Sequence, residues 1–450
     1  MRNILPKQLH TLAKACPKPL YVVGGSVRDF LSGLSPKNHD WDICAPIPSE
    51  TFAAIATNCG FSVKSVYKTT GTVKLHDADK NDYEFSCFRS DEYVRGTHVP
   101  VSIYFTDDIV LDAKRRDFTA NAVYYDVAND CYLDPLLGID AIKDCRLTTV
   151  CEAQKVFGED GLRLMRLARQ AAQLNFQPDE DCFNGAKLNA TLIRDISAER
   201  IFTELTAILH ADEKYGFSDG PYHGLSLLDQ TRVLDEILPE LTLGRDMQQR
   251  PDFHKYTVLE HSLRTVKYAD KKVRLAALLH DVGKPFCKQR DGNSFAHNTE
   301  GARIAKEILQ RLKAPKKLIE RIPALVELHM YDFDCKTSEN KLRRFFAENY
   351  TLLDELLLLK QADYSACTDD LSIAPTCKKW MALLEKMKSE QAPFTLSQLA
   401  VSGKDLLDAK VTPSNVSKIL HALLLHAVVN PNDNTKARLL KLAPAIERNI

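Results

Sequence analysis

The 450-residue chain lacks the features that would place it in a membrane or outside the cell. No stretch approaches the eighteen or so apolar residues of a membrane span, and the first twenty residues contain no uninterrupted apolar core of a signal peptide. Its twelve cysteines include no CxxC pair. This spacing argues against a structural zinc site and favours reduced thiols. We therefore expect a cytoplasmic protein with no membrane partner.

Net charge is also missing, since 60 basic residues balance 60 acidic ones. A nucleic-acid-binding chain of this composition has to concentrate its positive charge on one face. Two stretches are candidates for such a face, one containing Arg163, Arg166 and Arg169 and the other running from Lys313 to Arg321. The remaining composition, 44% apolar and 27% charged, is typical of a globular protein, and the length predicts two to four domains.

The first candidate site lies near the N-terminus, in the sequence YVVGGSVRDF. An apolar run ends in Gly24, Gly25 and Ser26, and the amphipathic helix predicted to follow carries Arg28. Glycines allow backbone amides to approach a phosphate closely, and the N-terminus of a helix favours an anion. The segment therefore predicts a phosphate-binding turn.

Two carboxylates follow this turn in the sequence DWD. Asp40 and Asp42 alternate on an extended segment, so their side chains point the same way and could share Mg²⁺ ions. Two-metal phosphoryl transfer needs such an arrangement. In the later strand DYEFSCFR, Glu84 lies on the face opposite Tyr83 and Phe85, which makes it a candidate third acidic group. Phosphate turn and carboxylates together predict a nucleoside triphosphate site.

The first 145 residues mix short strand patterns with two helical ones, which predicts an α/β (α+β) domain. A polar segment from Ser90 to Lys114 is predicted to be irregular. It precedes the sequence RRDFTANA, in which Arg116, Asp117 and Asn121 suit contacts to phosphate and ribose.

From about Val156 the pattern is helical almost to the end of the chain. The sequence FGEDGLRLMRLARQAAQLNF predicts one amphipathic helix with Asp160 and Arg163 on a shared face. An ion pair on the helix surface is one interpretation. The other is that an acceptor and a donor at this spacing bind the hydrogen-bonding edge of a base. Further on, ISAERIFTEL places Arg200 and Glu204 where they could brace that helix.

Together, GGSVRD, DWD, RRDFTANA and the ED…R pattern resemble the class II tRNA nucleotidyltransferases and the bacterial poly(A) polymerases, which are polymerase β-like nucleotidyltransferases. The resemblance implies addition of C, C and A from CTP and ATP to the tRNA 3′ end, without a nucleic-acid template and with release of pyrophosphate. It implies that Asp40 and Asp42 are catalytic and bind Mg²⁺. The nucleotide-binding residues that it implies are Gly24, Gly25, Ser26, Arg28, Arg116, Asp117, Asn121, Asp160, Arg163 and Arg166.

A second candidate site is a series of histidines and acids between His254 and Cys367. Imidazole and carboxylate ligands suit a transition metal that activates water. The pattern H…HDxGK…H…H…D resembles the HD-domain metal-dependent phosphohydrolases, and Lys284 lies where those enzymes often contact phosphate. The resemblance implies a phosphatase or 2′,3′-cyclic phosphodiesterase. The metal ligands that it implies are His261, His280, Asp281, His297, His329 and Asp363.

These patterns predict four domains: a catalytic head (1–145), a helical neck for nucleotide selection and tRNA binding (146–240), an HD domain (241–385) and a helical tail that binds tRNA (386–450). Three alternatives stay open, namely a CC-adding enzyme, a poly(A) polymerase, and an HD-domain RNA-end phosphohydrolase with a binding-only head. CC-adding enzymes typically have a shortened flexible loop before the RRDFT motif. The present sequence resembles the full-length loop, which favours complete CCA addition, at Arg89, Asp91, Tyr93, Arg95 and Pro100. The sequence leaves the oligomeric state open.

Overall fold

The computed structural model describes residues 1–34, 41–94 and 100–448, which form two compact units. The first unit contains residues 1–242 and 308–315, and the second contains residues 243–307 and those from 316 onward. The four predicted domains divide the chain more finely than these units do and stay a prediction. Among the described ranges, no helix is both long and apolar enough to cross a membrane.

A seven-stranded mixed sheet forms the centre of the first unit, in the order β3-β4-β5-β2-β1-β8-β9. Two further pairs, β6 with β7 and β10 with β11, form small separate sheets. The strands are β1 (Tyr21–Val23), β2 (Trp41–Ala45), β3 (Ser62–Tyr67), β4 (Thr72–His76), β5 (Asp82–Cys87), β6 (Arg89–Glu92), β7 (Ser102–Phe105), β8 (Tyr124–Asp126), β9 (Cys131–Leu133), β10 (Arg146–Leu147) and β11 (Gln177–Pro178).

Thirteen α-helices lie before, between and after these strands in the described part of residues 1–242. They are α1 (Lys7–Ala15), α2 (Gly25–Leu31), α3 (Ser49–Asn58), α4 (Ile109–Lys114), α5 (Gly138–Lys143), α6 (Ala153–Glu159), α7 (Leu162–Leu174), α8 (Glu180–Leu188), α9 (Ala198–Leu209), α10 (Asp212–Tyr215), α11 (Gly220–Gln230), α12 (Val233–Ile237) and α13 (Pro239–Thr242). A short 3₁₀ helix, Thr119–Asn121, lies between α4 and β8.

The remaining helices follow one another along the chain with no strand between them. They are α14 (Val258–Tyr268), α15 (Arg274–Leu279), α16 (Lys284–Asp291), α17 (His297–Arg311), α18 (Lys316–Leu328), α19 (Glu339–Glu348), α20 (Leu353–Thr368), α21 (Pro375–Ser389), α22 (Gly403–Asp408), α23 (Val416–Ala427) and α24 (Lys436–Glu447). The predicted change from mixed to helical structure within the chain is therefore confirmed.

Alternation of apolar and polar residues fixes which face of the sheet is buried. On β5, Tyr83, Phe85 and Cys87 are buried while Glu84 is exposed, as the sequence predicts. Phe85 stacks on Phe52 of α3, with 3.6 Å between the ring centroids. A one-residue shift in the register would expose these aromatic side chains, so the packing holds β5 in place beside β2.

The prediction of an irregular segment from Ser90 to Lys114 is wrong for the part of it that the structure describes. Strands β6 and β7 form an antiparallel hairpin, and α4 follows with Asp108 as its N-cap, whose side chain accepts a hydrogen bond from the Val110 amide. β6 contains only polar and charged residues, and the apolar residues of β7 are not buried, so the usual alternation is missing and the sequence pattern did not predict the hairpin.

The predicted single helix around Asp160 is also wrong, because it is two helices. α6 ends at Glu159 and α7 begins at Leu162, with Asp160 in an extended conformation between them. A Cβ on Gly161 would lie 2.5 Å from the Leu192 carbonyl oxygen, so the chain turns where only glycine fits.

Candidate active sites

A cavity of about 360 Å³ opens in the first unit beside the ends of β1 and β2. Seven cationic side chains and three carboxylates contribute to its lining, so its charge suits a polyphosphate. The lining residues are Gly24, Gly25, Arg28, Asp42, Arg115, Arg116, Asp117, Asn121, Asp160, Arg163, Arg166, Arg169, Gln170, Gln173 and Lys214. Of the predicted nucleotide-binding residues, Ser26 alone is absent from this lining; its side chain is buried.

Gly24 and Asp42 face each other at the mouth of this cavity. Gly24 has a φ of +78°, and a Cβ there would lie 2.8 Å from Oδ2 of Asp42. Glycine therefore allows the turn to approach the carboxylate on β2. On the adjacent strand, Glu84 pairs in register with Asp42, but its carboxylate forms an ion pair with Lys74 at 3.3 Å. Asp40, the other predicted metal ligand, lies outside the described residues.

Arg28 is held by side chains from distant parts of the first unit. Its Nε and one terminal nitrogen donate to Oδ1 of Asp29 at 3.0 and 2.6 Å, and the other nitrogen donates to Oδ1 of Asn121 at 2.7 Å. Gln170 and Tyr215 lie 3.4 Å from the same guanidinium group. These partners fix the orientation of Arg28 at the cavity wall.

Asp117 connects the phosphate side of the cavity to helix α7. Its Oδ2 accepts two hydrogen bonds from the guanidinium of Arg166, at 2.9 and 2.6 Å, and its Oδ1 accepts from the Asn121 amide at 2.9 Å. Burial alone would raise the pKa of Asp117, but Arg166 and Asn121 outweigh it and hold that pKa far below its usual range. Asp117 is therefore an anion that orients Arg166.

Asp112 organises the two adjacent arginines, and sequence reasoning missed it. Its buried carboxylate accepts from Nε of Arg115 at 2.7 Å, from Arg116 at 3.0 Å and from the Tyr124 hydroxyl at 2.7 Å. Burial opposes its charge, yet the two arginines lower its pKa to about 2. The available signal was the spacing of three and four residues from Asp112 to the arginines on one helix.

Replacing Asp112 with asparagine is expected to destabilise the first unit by about 3–5 kcal/mol, because two buried cations lose their shared anion. Denaturant unfolding at pH 7 measures the difference, with exposed Asp107→Asn as the matched control. Since folding lowers the pKa of Asp112 from 3.8 to about 2, its stabilising effect is complete above pH 4 and is lost as the pH falls towards 2. Equal unfolding midpoints for the variant and the wild type would contradict this role.

Asp160 and Arg163 both line the cavity, although they do not share a helix. Oδ1 of Asp160 accepts from the amide of Leu162, the first residue of α7, at 2.9 Å. Arg163 donates to the carbonyl oxygens of Val156 and Arg115, at 3.0 and 2.8 Å. The ion pair predicted as the alternative interpretation exists, but it joins Arg163 to Glu159 at 3.1 Å.

Two further contacts tie these residues to elements elsewhere in the first unit. The ring of Tyr93, which follows β6, lies 5.7 Å from the Arg163 guanidinium carbon. Glu204 of α9 pairs with Arg169 of α7 at 2.6 Å, as the sequence predicts, whereas Arg200 is exposed. The bracing role thus applies to Glu204.

The second unit brings all six predicted metal ligands together. Nε2 of His261 lies 3.2 Å from Nε2 of His280 and 3.0 Å from Oδ1 of Asp363. Asp281 is central, since its carboxylate lies 3.3 Å from both His280 and His297 and 3.9 Å from His329. The ligand atoms form two groups, His261 with His280 and Asp363, and Asp281 with His297 and His329.

Backbone carbonyls orient three of these imidazole rings. Nδ1 of His280, His297 and His329 lies 2.8, 2.8 and 2.6 Å from carbonyl oxygens three residues earlier in the chain. These contacts leave each Nε2 directed at the carboxylates, as in metal-binding histidines whose second nitrogen is held in place. The Nε2 atoms of His297 and His329 are buried and have no hydrogen-bond partner in the described chain, which fits a metal.

The electrostatics of this centre favour a cation. Burial opposes a positive charge on His280, but Asp281 and Asp363 outweigh it and raise its pKa to about 10. In contrast, burial and the neighbouring imidazoles lower the pKa of His329 to about 3. The Lys284 ammonium group forms an ion pair with the Asp281 carboxylate at 2.6 Å. The site thus combines donors and negative charge that are typical of divalent metal centres.

Lys360 supports the centre from behind and was not predicted. Its buried ammonium group donates to the carbonyl oxygens of His329 and Tyr331, at 2.6 and 2.7 Å, and lies 4.9 Å from the Trp380 ring. Burial lowers its pKa to about 8. A lysine within the apolar sequence LLLLKQAD was the only signal of this role.

Comparisons with known protein families agree with both sites. Residues 20–148 match the family model of the Poly A polymerase head domain, and residues 258–366 match the HD domain. The chain is thus similar to a Poly A polymerase head domain in one segment and to an HD domain in another. Residues 175–243, between them, match a family described as a probable RNA and SrmB-binding site of polymerase A. Both domain families generally use divalent metals, which agrees with the ligand types found here.

Curated relatives that are similar to this chain are named for the nucleotides they add. An A-adding tRNA nucleotidyltransferase of Deinococcus radiodurans is 29% identical over 428 residues, which cover 90% of this chain and 91% of that protein. A CCA-adding enzyme of Streptococcus uberis is 35% identical over 192 residues, but the match spans only 42% of this chain and 45% of that enzyme.

Solved structures share the fold of this chain along its length. The CCA-adding enzyme of Bacillus stearothermophilus in complex with CTP has a TM-score of 0.67 at 23% identity, with 98% of both chains covered. The CCA-adding enzyme of Thermotoga maritima in complex with tRNA has a TM-score of 0.61 at 17% identity, covering 98% of this chain and 96% of that one. The predicted fold class is confirmed.

Proposed function

We propose that this chain is a cytoplasmic tRNA nucleotidyltransferase that adds C, C and A to the tRNA 3′ end from CTP and ATP, without a nucleic-acid template. The observation that carries the proposal is the cationic cavity of the head, which brings the Gly24 turn, Asp42 and the side chains of Asp160 and Arg163 together. One relative that matches along 90% of this chain is by name an A-adding tRNA nucleotidyltransferase, and another relative is by name a CCA-adding enzyme.

In the proposed reaction, the tRNA 3′-hydroxyl oxygen forms a bond to the α-phosphorus, the bond to the β-phosphate oxygen breaks, and pyrophosphate leaves while the hydroxyl proton passes to solvent. Asp40 and Asp42 would bind Mg²⁺, which stabilises the negative charge of the attacking and leaving oxygens. Oxygen ligands of this kind suit Mg²⁺. The amides at Gly24 and Gly25 would contact the triphosphate, and the arginines of the cavity would balance its charge.

Arg166 is proposed to contact the nucleotide from an orientation that Asp117 fixes. Arg166→Lys should therefore raise the KM for CTP by roughly tenfold while changing kcat less, because lysine cannot maintain the two-pronged hydrogen bond to Asp117. Steady-state kinetics at saturating tRNA measure the change. Lys187→Arg, a cationic substitution on α8 away from the cavity, is the control. An unchanged KM would contradict the proposed contact.

Base selection is proposed to rest on Asp160 and Arg163. An acceptor and a fixed donor can bind the Watson–Crick edge of an incoming base, so that the protein serves as the template. The contacts of Arg163 with the Val156 and Arg115 carbonyls limit the positions that its guanidinium group can take. Tyr93 connects that guanidinium group to the end of the β6 strand.

A-addition alone is the second candidate, because the relative that matches along 90% of this chain is an A-adding enzyme. The two alternatives from the sequence, a CC-adding enzyme and a poly(A) polymerase, would make products that differ from a CCA end and from each other. The proposal of full CCA addition depends on β6 and the loop after it. Within β6, Arg89 pairs with Asp91 at 2.9 Å, and the hydroxyl of Tyr93, which follows the strand, lies 3.4 Å from Asp91. Arg95 of the same loop lies outside the described residues.

The HD centre is proposed to hydrolyse phosphate esters at RNA ends, with a transition metal as its cofactor. The six residues His261, His280, Asp281, His297, His329 and Asp363 would bind this metal, which supplies an activated water. Lys284, which also contacts Gln249 at 2.7 Å, is positioned beside Asp281 to neutralise a phosphate oxygen.

Extension of two tRNA transcripts tests the main proposal. One transcript ends at the base before CCA and the other ends in CC, and each is incubated with Mg²⁺ and with CTP, ATP or both. CCA addition predicts two residues from CTP on the first transcript and one A on either completed CC end. Extension of the CC-ended transcript only would mean A-addition, two residues and no more would mean CC-addition, and a long ladder with ATP would mean a poly(A) polymerase.

A further inference from the structure

A second cavity, of about 590 Å³, lies beside the HD centre and has no assigned role. His297 and Lys284 belong both to this cavity and to the centre, so the two spaces are continuous. The neighbouring His254 also lines it, and its ring lies 4.9 Å from that of His261. A molecule held in this cavity would therefore present one of its groups to the proposed metal ligands.

Aromatic side chains dominate the exposed lining of this cavity. Phe253, Phe295 and Phe333 are 59%, 80% and 68% exposed, which is unusual for phenylalanine, and Met247 and Met330 add further apolar surface. Each of the three phenylalanines lies in a turn segment outside the helices. The protein thus keeps three aromatic faces in contact with solvent at one site, where a flat ligand could cover them.

Cations lie among these aromatic rings. The guanidinium carbon of Arg250 lies 4.9 Å from the Phe253 ring centroid. Lys288 also lines the cavity, and its ammonium group donates a hydrogen bond to the Gly292 carbonyl at 2.8 Å. With Lys284 at the inner end, the lining carries positive charge along the path to the centre. Apolar rings with adjacent cations are the combination that binds a nucleobase and its phosphate.

The head cavity has the opposite character. Its lining contains no aromatic residue among the described positions, and hydrogen-bonding and charged groups dominate it. A base in the head can be discriminated by hydrogen bonds, whereas a base in the second cavity would be held mainly by stacking, which tolerates any base. The two cavities therefore suit two different uses of a nucleotide.

We propose that the cavity lined by Phe253, Phe295 and Phe333 is a nucleobase subsite of the HD centre, which holds the base of a nucleotide whose ribose phosphate is presented to Asp281 and Lys284. This inference rests on the proposed phosphohydrolase function of that centre. Its substrates are phosphate esters that carry a base, either free nucleotides or RNA 3′ ends, with little preference among bases. In hydrolysis of such a monoester, the oxygen of water forms a bond to phosphorus and the bond between phosphorus and the ribose oxygen breaks. A proton from the water passes to the ribose oxygen, so the products are a free hydroxyl group and inorganic phosphate.

Kinetics with and without a base test the subsite. Full-length protein loaded with Mn²⁺ is assayed on adenosine 3′-monophosphate, a short oligoribonucleotide ending in a 3′-phosphate, and glycerol 2-phosphate, which lacks a base. Phe295→Ala combined with Phe333→Ala should raise KM for the base-carrying substrates about 10- to 100-fold and leave glycerol 2-phosphate unchanged. Leu371→Ala, 75% exposed elsewhere in the second unit, is the matched control. Comparing the KM for the nucleotide with the KM for the oligonucleotide shows whether the subsite takes the base of a free nucleotide or that of an RNA 3′ end.

A binding measurement separates failure of the subsite from failure of the hydrolase. Photo-crosslinking with 8-azidoadenosine 3′-monophosphate, followed by mass spectrometry of the peptides, should label segments 247–253, 293–298 or 330–333 in the wild type, and this labelling should disappear in the double variant. Labelling of head peptides only, or equal catalytic efficiency on all three substrates in both proteins, would overturn the inference. If no substrate were hydrolysed, the proposed phosphohydrolase function would fail and the crosslinks would decide the subsite.

Discussion

Replacing Asp42 with asparagine is expected to lower nucleotide addition by about 10³-fold or more, while HD-centre hydrolysis continues unchanged. Asp42 is the described carboxylate at the mouth of the head cavity, 2.8 Å from the position of a Cβ on Gly24. The substitution removes the charge of a proposed Mg²⁺ ligand, and Mg²⁺ stabilises the transition state by several kcal/mol. Each tenfold decrease in rate corresponds to a loss of about 1.4 kcal/mol of this stabilisation.

Extension of a tRNA transcript under single-turnover conditions measures this loss, with hydrolysis of a 3′-phosphorylated substrate assayed on the same preparation. Asp82→Asn provides a matched control, since Asp82 is an exposed carboxylate on the neighbouring strand β5 and pairs with Lys64. Retention of full nucleotide addition by Asp42→Asn would show that Asp42 is not a metal ligand. Parallel loss in Asp82→Asn would show that the effect comes from the sheet and not from the site.

Asp281→Asn is expected to have the reverse effect. The Asp281 carboxylate lies within 4 Å of His280 in one group of proposed ligands and of His297 and His329 in the other, and it forms an ion pair with Lys284. Its replacement should lower metal affinity at least about 100-fold and abolish phosphate ester hydrolysis, because the remaining charge no longer offsets the burial of a divalent cation.

Metal content after dialysis against Mn²⁺, measured by plasma mass spectrometry, tests this directly without relying on activity. The exposed Asp334→Asn in the same unit is the control, and thermal unfolding checks that both variants are folded. The proposed independence of the two sites predicts that Asp281→Asn still extends hydroxyl-ended tRNA at the wild-type rate. An unchanged metal content would remove Asp281 from the ligand set.

The sequence identified residues that the fold brings together better than it predicted the local structure around them. The Gly24 turn, Asp42 and the six proposed HD ligands are each close in sequence to a recognisable motif, and the fold brings them into one cavity and one cluster. Short-range geometry, such as a glycine turn before a helix, is encoded locally and can be read without tertiary contacts.

The groups that hold these residues in place were harder to predict. Asp112 appears in the sequence as one more acid in a polar segment, and only the fold shows that it is buried beneath Arg115 and Arg116. Lys360 similarly depends on carbonyl groups about thirty residues away. Burial and long-range hydrogen bonds come from tertiary packing, so local patterns carry little information about them.

The break between α6 and α7 was also not predicted. Amphipathic spacing continues through Asp160 and Gly161, so periodicity alone favours a single helix. Close approach of Gly161 to the Leu192 carbonyl interrupts it, and the Asp160 side chain accepts a hydrogen bond from the first amide of α7. One consequence is that Asp160 has a structural and a proposed base-reading role, and a test must separate the two.

Nucleotide selection by Asp160→Asn is the measurement that tests the central claim most directly. Asparagine keeps a side-chain oxygen that can accept from the Leu162 amide but replaces the other carboxylate oxygen with a donor, which alters the proposed reading of the base. Catalytic efficiencies for ATP, CTP, GTP and UTP are compared on a tRNA ending in CC. The account predicts that the preference of the wild type for ATP falls at least about tenfold in the variant, with the unfolding temperature unchanged. An unchanged preference would contradict a protein template at Asp160 and Arg163.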